Sequence, residues 1–182
     1  MLIDTHCHIQ DREFAGDLEA VLGRAREAGV AYALVVGSDL ASSQRAFNLA
    51  QRFPQLFAAV GVHPHDSKDA DSATFDRIRE LAAQDRVVAL GEMGLDYHYD
   101  FSPRKNQQRV FRYQIGLARE CGLPVIIHDR EAHGDTLAIL QEERAEEVGG
   151  VLHCFSGSWE MAQECLKMGF YISVAGPVTF AN

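Results

Sequence analysis

Two histidines separated by one residue, His6 and His8, close the first apolar run of the chain, "MLIDTHCHIQD". Alternate residues of an extended strand share a face, so Asp4, His6 and His8 point one way and Cys7 the other. The same placement recurs further on. His63 follows "AAVGV", Glu92 follows "VVALG", His128 follows "PVII" and His153 follows "GVL". Ionisable side chains at the end of an apolar strand are costly to bury unless they bind something. Imidazole nitrogens with a carboxylate oxygen suit zinc, manganese, iron or nickel. A glutamate shared between two ions suits a two-metal hydrolase. Each residue alone has a plainer reading. His-x-His is a short motif, a lone strand-end histidine such as His128 is more often structural, and Glu92 could cap the segment after it. Their recurrence at successive strand ends favours a joint metal site.

The remaining histidines read differently. His65 lies in the loop "HPHD" and can face substrate. His98, in "DYHYD", leaves plain surface and a role at the site equally open. His133 falls in the first turn of a helix and reads as solvated.

The elements that must position these groups alternate along the chain. Apolar runs at 1–6, 31–37, 56–63, 87–92, 124–129, 150–155 and 170–176 read as strands. Between them, 17–29, 41–53, 72–84, 103–122, 131–147 and 158–169 have helical periodicity. In the first helix Leu18, Val21, Leu22 and Ala25 form one amphipathic face. Strands separated by helices mean βαβ units and a parallel α/β sheet, with sites at the carboxyl ends of its strands. A closed eight-stranded barrel takes about 250 residues. Seven strands and six helices in 182 residues also fit an open, doubly wound sheet. No linker or low-complexity segment divides the chain, so residues 1–182 read as one domain.

Composition is that of an ordinary globular domain, 47% hydrophobic and 24% charged. A formal net charge of −9 argues against indiscriminate coating of a polyanion. It leaves room for a local cationic pocket around bound ions. No apolar run is long enough to span a membrane, and the start lacks the pattern of a signal peptide. Cys7, Cys121, Cys154 and Cys165 form no Cys-x-x-Cys pair and read as free thiols. A cytoplasmic protein with no membrane partner is expected.

The stretches "LIDTHCH", "GVHPH", "GEMGLDYHYD", "PVIIHDREA" and "LHCFSGS" resemble, in order and spacing, the TatD family of metal-dependent deoxyribonucleases. The resemblance runs from residue 1 to about residue 176. It implies a TIM-type (β/α)8 barrel, here truncated after about the seventh strand, so that the domain 1–182 is incomplete at its C-terminus. It also implies two divalent metal ions, Mg²⁺ or Mn²⁺ in use with Zn²⁺ sometimes bound. The implied activity is hydrolysis of phosphodiester bonds in DNA, single-stranded or at 3′ ends, by a 3′–5′ exonuclease using a two-metal-activated water. His6 and His8 match ligands of the first ion, His128 and His153 those of the second, and Glu92 the bridging carboxylate. His63 joins Glu92 as a catalytic residue, while His65 and Arg130 match contacts to the substrate phosphate.

The family also places a metal-binding aspartate on an eighth strand, in a "Glu-Thr-Asp" context that this chain lacks. The exposed barrel edges are therefore expected either to be covered by self-association with a second copy or to leave the barrel gaping. Two alternatives stay open. One is another binuclear amidohydrolase, lactonase- or phosphotriesterase-like; those enzymes commonly bridge their metals with a carbamylated lysine, where this chain has Glu92. The other is a metal- or DNA-binding fold with little activity.

Overall fold

The computed structural model of the chain describes residues 1–180. Seven strands form one parallel sheet in strictly sequential order: β1 (Leu2–Cys7), β2 (Val30–Val36), β3 (Leu56–Val60), β4 (Val87–Asp96), β5 (Val125–Arg130), β6 (Gly150–Leu152) and β7 (Phe170–Ile172). Six α-helices lie between them: α1 (Leu18–Glu27), α2 (Leu40–Arg52), α3 (Ser72–Ala82), α4 (Arg104–Cys121), α5 (His133–Glu142) and α6 (Trp159–Lys167). A doubly wound sheet reverses its strand order at a switch point. Here the order never reverses, which is the path of a TIM-type barrel. Among the described residues β1 pairs only with β2 and β7 only with β6, so each keeps an open edge.

The strands have two faces with different tasks. Val36, Ala59, Ala89 and Ile126 cluster on one side, with Leu34 and Val151 against them. The neighbouring positions Val35, Ala58, Val60, Leu90, Val125, Ile127 and Leu152 belong to the larger core shared with the helices. Branched residues predominate in this inner layer, as they do in a barrel interior.

Several boundaries differ from the sequence reading, among them the ends of β6 and β7, which stop at Leu152 and Ile172 rather than at 155 and 176. β4 does not stop at Glu92 but continues to Asp96. Met93 and Leu95 are fully buried in the helix-side core and pair with Ile127 and Asp129 of β5, so burial and ladder hydrogen bonds both favour extension. β3 stops at Val60, three residues short of His63, which instead caps a 3-10 turn at Pro64–Asp66. The fifth helix ends at Glu142, and a separate 3-10 turn follows at Ala145–Glu147 after Arg144, whose φ is 55°.

Candidate metal centre

Glu92 is the middle of the site. It is 4% exposed and sits on β4, whose backbone passes unusually close to both neighbours. A side-chain carbon on Gly61 would lie 2.8 Å from the Gly91 Cα, and one on Gly94 would lie 2.0 Å from the His128 carbonyl oxygen. Gly94 also has a φ of 140°, a conformation that L side chains rarely adopt. These positions admit only glycine, and they bring β3, β4 and β5 close enough to converge on one carboxylate.

Three histidines meet that carboxylate directly, and a fourth packs against one of them. His6 Nε2 is 3.3 Å and His8 Nε2 4.0 Å from Oε2, while His128 Nδ1 is 3.1 Å from Oε1. The His153 ring stacks on His6 with centroids 3.5 Å apart. Two groups of ligand atoms result, His6–Glu92–His153 and His63–Glu92–His128, each drawn within 4.8 Å. Glu92 belongs to both. His8 lies at the edge of the first group, its Nε2 3.1 Å from that of His6. The structure thus gathers His6, His8, Glu92, His128 and His153 around one point and adds His63 to them.

The surrounding hydrogen bonds orient the rings. His8 Nδ1 lies 2.9 Å from the Val36 carbonyl, to which it must donate, so its Nε2 lone pair faces the cluster. His128 Nε2 donates to Asp96 Oδ2 at 3.2 Å, leaving Nδ1 toward Glu92. His63 Nδ1 accepts from the His65 backbone N–H at 3.2 Å, so the neutral ring carries its proton on Nε2. That is the tautomer of the ring without an ion; in the His63–Glu92–His128 group Nε2 is the nitrogen that an ion would take in place of the proton.

Burial holds His63 down to about 3 and His153 to about 4, outweighing the pull of nearby carboxylates, so both rings are neutral near pH 7. Burial opposes ionisation of Glu92, but hydrogen bonds from His128 and His6 overcome it and keep the carboxyl well below its usual range. His128 is raised: its burial is overcome by Glu92 and Asp96.

The arrangement fits a divalent cation. His6 Nδ1 and His153 Nδ1 are buried without a hydrogen-bond partner. Among the described residues, Glu92 and Asp96 are paired only with histidines, with no lysine or arginine. Buried carboxylates facing several imidazoles, with nitrogen atoms unsatisfied, are what a metal ion resolves.

Asp96 is the residue that the sequence reading missed. It is 1% exposed and accepts from His65 Nε2 at 2.8 Å as well as from His128. The backbone N–H groups of His98 and Tyr99 donate to its other oxygen. Burial resists its ionisation, but the Tyr99 N–H, His65 and His128 outweigh burial and keep it ionised. Helix α4 braces this region through two fully buried amides. Gln107 accepts from the Asp96 N–H and donates to the Asp96 and Ser102 carbonyls. Gln114 does the same for both backbone groups of Val62, next to His63.

The other residues sit outside the cluster. Arg130 lies over the Tyr99 ring at 4.8 Å. His98 pairs with Glu131 at 2.7 Å. His133, expected to be solvated, is bonded to Asp129 near the end of β5, four residues before it. Cys7 joins the helix-side core, and burial with the Asp4 charge pushes its thiol up to about 12, so it stays protonated.

Sequential βα units with histidines and a shared carboxylate at the carboxyl ends of the strands define a TIM-barrel metal-dependent hydrolase. A family model for TatD related DNase matches residues 3–182. The chain belongs to that family. A Bacillus subtilis relative, the uncharacterized metal-dependent hydrolase YabD, is 50% identical over 182 residues, covering 100% of this chain and 71% of its own length. The 3′-5′ ssDNA/RNA exonuclease TatD of Citrobacter koseri is 42% identical over 175 residues, covering 96% of this chain and 67% of its own. The crystal structure of YjjV, a TatD homologue from Escherichia coli, superposes with a TM-score of 0.92 at 34% identity, covering 98% of this chain and 70% of that one.

Proposed function

We propose that this chain, as a single hydrolase domain over 1–182, cleaves phosphodiester bonds in single-stranded nucleic acid from the 3′ end. The observation that carries this reading is the sharing of Glu92 between two candidate metal groups. The name of the Citrobacter relative supports the substrate and polarity. The working ions are Mg²⁺ or Mn²⁺, and zinc also suits so many imidazoles. When bound, two such ions lower the pKa of water and neutralise developing phosphoryl charge.

The chain's own residues supply the rest. His6, His8, His128 and His153 hold the ions with Glu92. His63 stands with Glu92 at the catalytic centre, where it completes the second ligand group beside His128. His65 is oriented by Asp96, and Arg130 takes the phosphate of the substrate through its planar guanidinium. Leu2, Ile3 and Tyr171, exposed on β1 and β7, supply apolar surface for self-association along the open edges. Among the described residues no helix is long and apolar enough to cross a membrane. All four cysteines are free thiols, which supports a reducing, cytoplasmic setting.

The test is a 5′-labelled single-stranded oligonucleotide with Mg²⁺ or Mn²⁺. The expected result is a ladder shortening from the 3′ end that EDTA stops and Glu92→Ala lacks. A metal-independent ladder, or an unchanged rate in Glu92→Ala, would overturn the reading.

A further inference from the structure

Beside the metal centre, the loop after β4 exposes two aromatic rings. Tyr99 is 47% and Phe101 57% exposed. They stack on each other with centroids 5.2 Å apart and planes 19° from parallel. Isolated exposed aromatics need no explanation, but a preformed stacked pair at the rim of a polar site is unusual.

Two cations stand beside them, among carboxylates that pair elsewhere: Asp100 with Arg104 and Glu131 with His98. The Arg130 guanidinium lies over the Tyr99 ring and has no carboxylate partner among the described residues. Lys68 Nζ donates to the Phe101 carbonyl at 3.2 Å. Both rings meet His65 edge-on, Tyr99 at 5.6 Å and Phe101 at 4.8 Å between centroids. His65 is in turn bonded to Asp96, which also accepts the Tyr99 N–H at 2.9 Å. The far end of the loop is tied by Ser102, whose hydroxyl donates to the His65 carbonyl at 2.6 Å. The pair is therefore held in register with the metal centre.

We infer that Tyr99 and Phe101 form a stacking platform for an unpaired nucleobase, with Arg130 on the adjoining phosphate. This rests on the phosphodiesterase reading and specifies its substrate. Exposed π faces flanked by cations bind single strands with little regard to sequence, because every base has a face to stack. A base inside a duplex has both faces covered, so the platform selects extrahelical or terminal nucleotides. It also sets the nucleotide next to the site before any bond is cut.

The experiment measures binding of EDTA-treated protein to single-stranded oligonucleotides carrying 2-aminopurine at successive positions near the 3′ end. Stacking should quench the fluorophore at one position. An abasic analogue there, or Phe101→Ala, should weaken binding roughly 5- to 150-fold, the range expected for one stacked base. Combining the two should add little to either alone. Phe101→Leu, which keeps the apolar bulk without the π face, should lose most of the quenching, so a folding defect in the alanine variant does not decide the matter.

Equal binding of abasic and normal strands by wild-type protein, or full quenching in Phe101→Leu, would overturn the platform, as would no binding at all. If wild type still trims oligonucleotides under those outcomes, the phosphodiesterase reading survives without it. If quenching is present but no strand is cut with metal, the platform stands and the phosphodiesterase reading fails.

Discussion

Replacing Gln107 with leucine tests whether α4 braces the metal centre. The side chain is fully buried, and its amide satisfies the Asp96 N–H at 2.8 Å and the Asp96 and Ser102 carbonyls at 3.0 and 2.9 Å. Leucine matches the bulk but offers no polar atom. Three backbone groups then lose their partners in a buried setting. At about 1 kcal/mol or more for each, the loss is about 3 kcal/mol. For a chain of this size that lowers Tm by roughly 6–12 °C. The local consequence is more specific. Asp96 is free to shift, and with it the hydrogen bonds that aim His65 and His128. Thermal melts with and without Mn²⁺ should show both the lower Tm and a smaller stabilisation by the ion. Gln44→Leu is the control: its amide reaches only Asn48 on the exposed side of α2, and it should change Tm little. If Gln107→Leu melts like Gln44→Leu and binds Mn²⁺ like wild type, the bracing role is wrong.

Two further outcomes follow from the same geometry. Gly94→Ala should yield no folded protein, because its Cβ would lie 2.0 Å from the His128 carbonyl oxygen at a φ of 140°. Clash and backbone strain together cost about 2–6 kcal/mol, at the upper end comparable to the whole stability of a domain. Gly23→Ala in α1 meets nothing within 4 Å and should instead be neutral or stabilising; circular dichroism of the two variants decides.

The metal-free protein should lose stability as pH falls below about 6.5. His63 and His153 bind protons less readily when folded, at about 3 and about 4 against an ordinary 6.5, so acid favours the unfolded chain. His128, raised, keeps its full contribution below its ordinary value, and Glu92, lowered, loses its contribution only below the usual carboxylate range. From about pH 6.5 to about pH 5 the two neutral histidines thus lower the stability as pH falls. A Tm that holds or rises across it would contradict their burial as neutral rings.

Much of the architecture was legible because it follows from periodicity. Seven apolar runs and six helical segments each have a counterpart in the structure, and strand parity correctly sent Cys7 to the helix side. Strand order was not legible, since the same elements also suit a doubly wound sheet; the family resemblance decided it. Asp96 was overlooked because β4 was read as ending at Glu92. Glu92, Gly94 and Asp96 share one parity, and that alternation was the available signal. Gln107 and Gln114 were hidden for a different reason. Amides in a long helix read as its solvated face, yet the two stand seven residues apart, two turns, on the stripe that also carries Val110 and Phe111.

The claim that Glu92 joins two metal groups is tested most directly by titrating the EDTA-treated chain with Mn²⁺ under electron paramagnetic resonance. Ions bridged by one carboxylate lie about 3.5–4 Å apart and couple magnetically. Wild type should take up two ions per chain with an exchange-coupled spectrum, matching the two ligand groups. Glu92→Ala should lose the coupling and most of the affinity. Saturation at a single ion in wild type, or two ions bound undiminished in Glu92→Ala, would contradict the account.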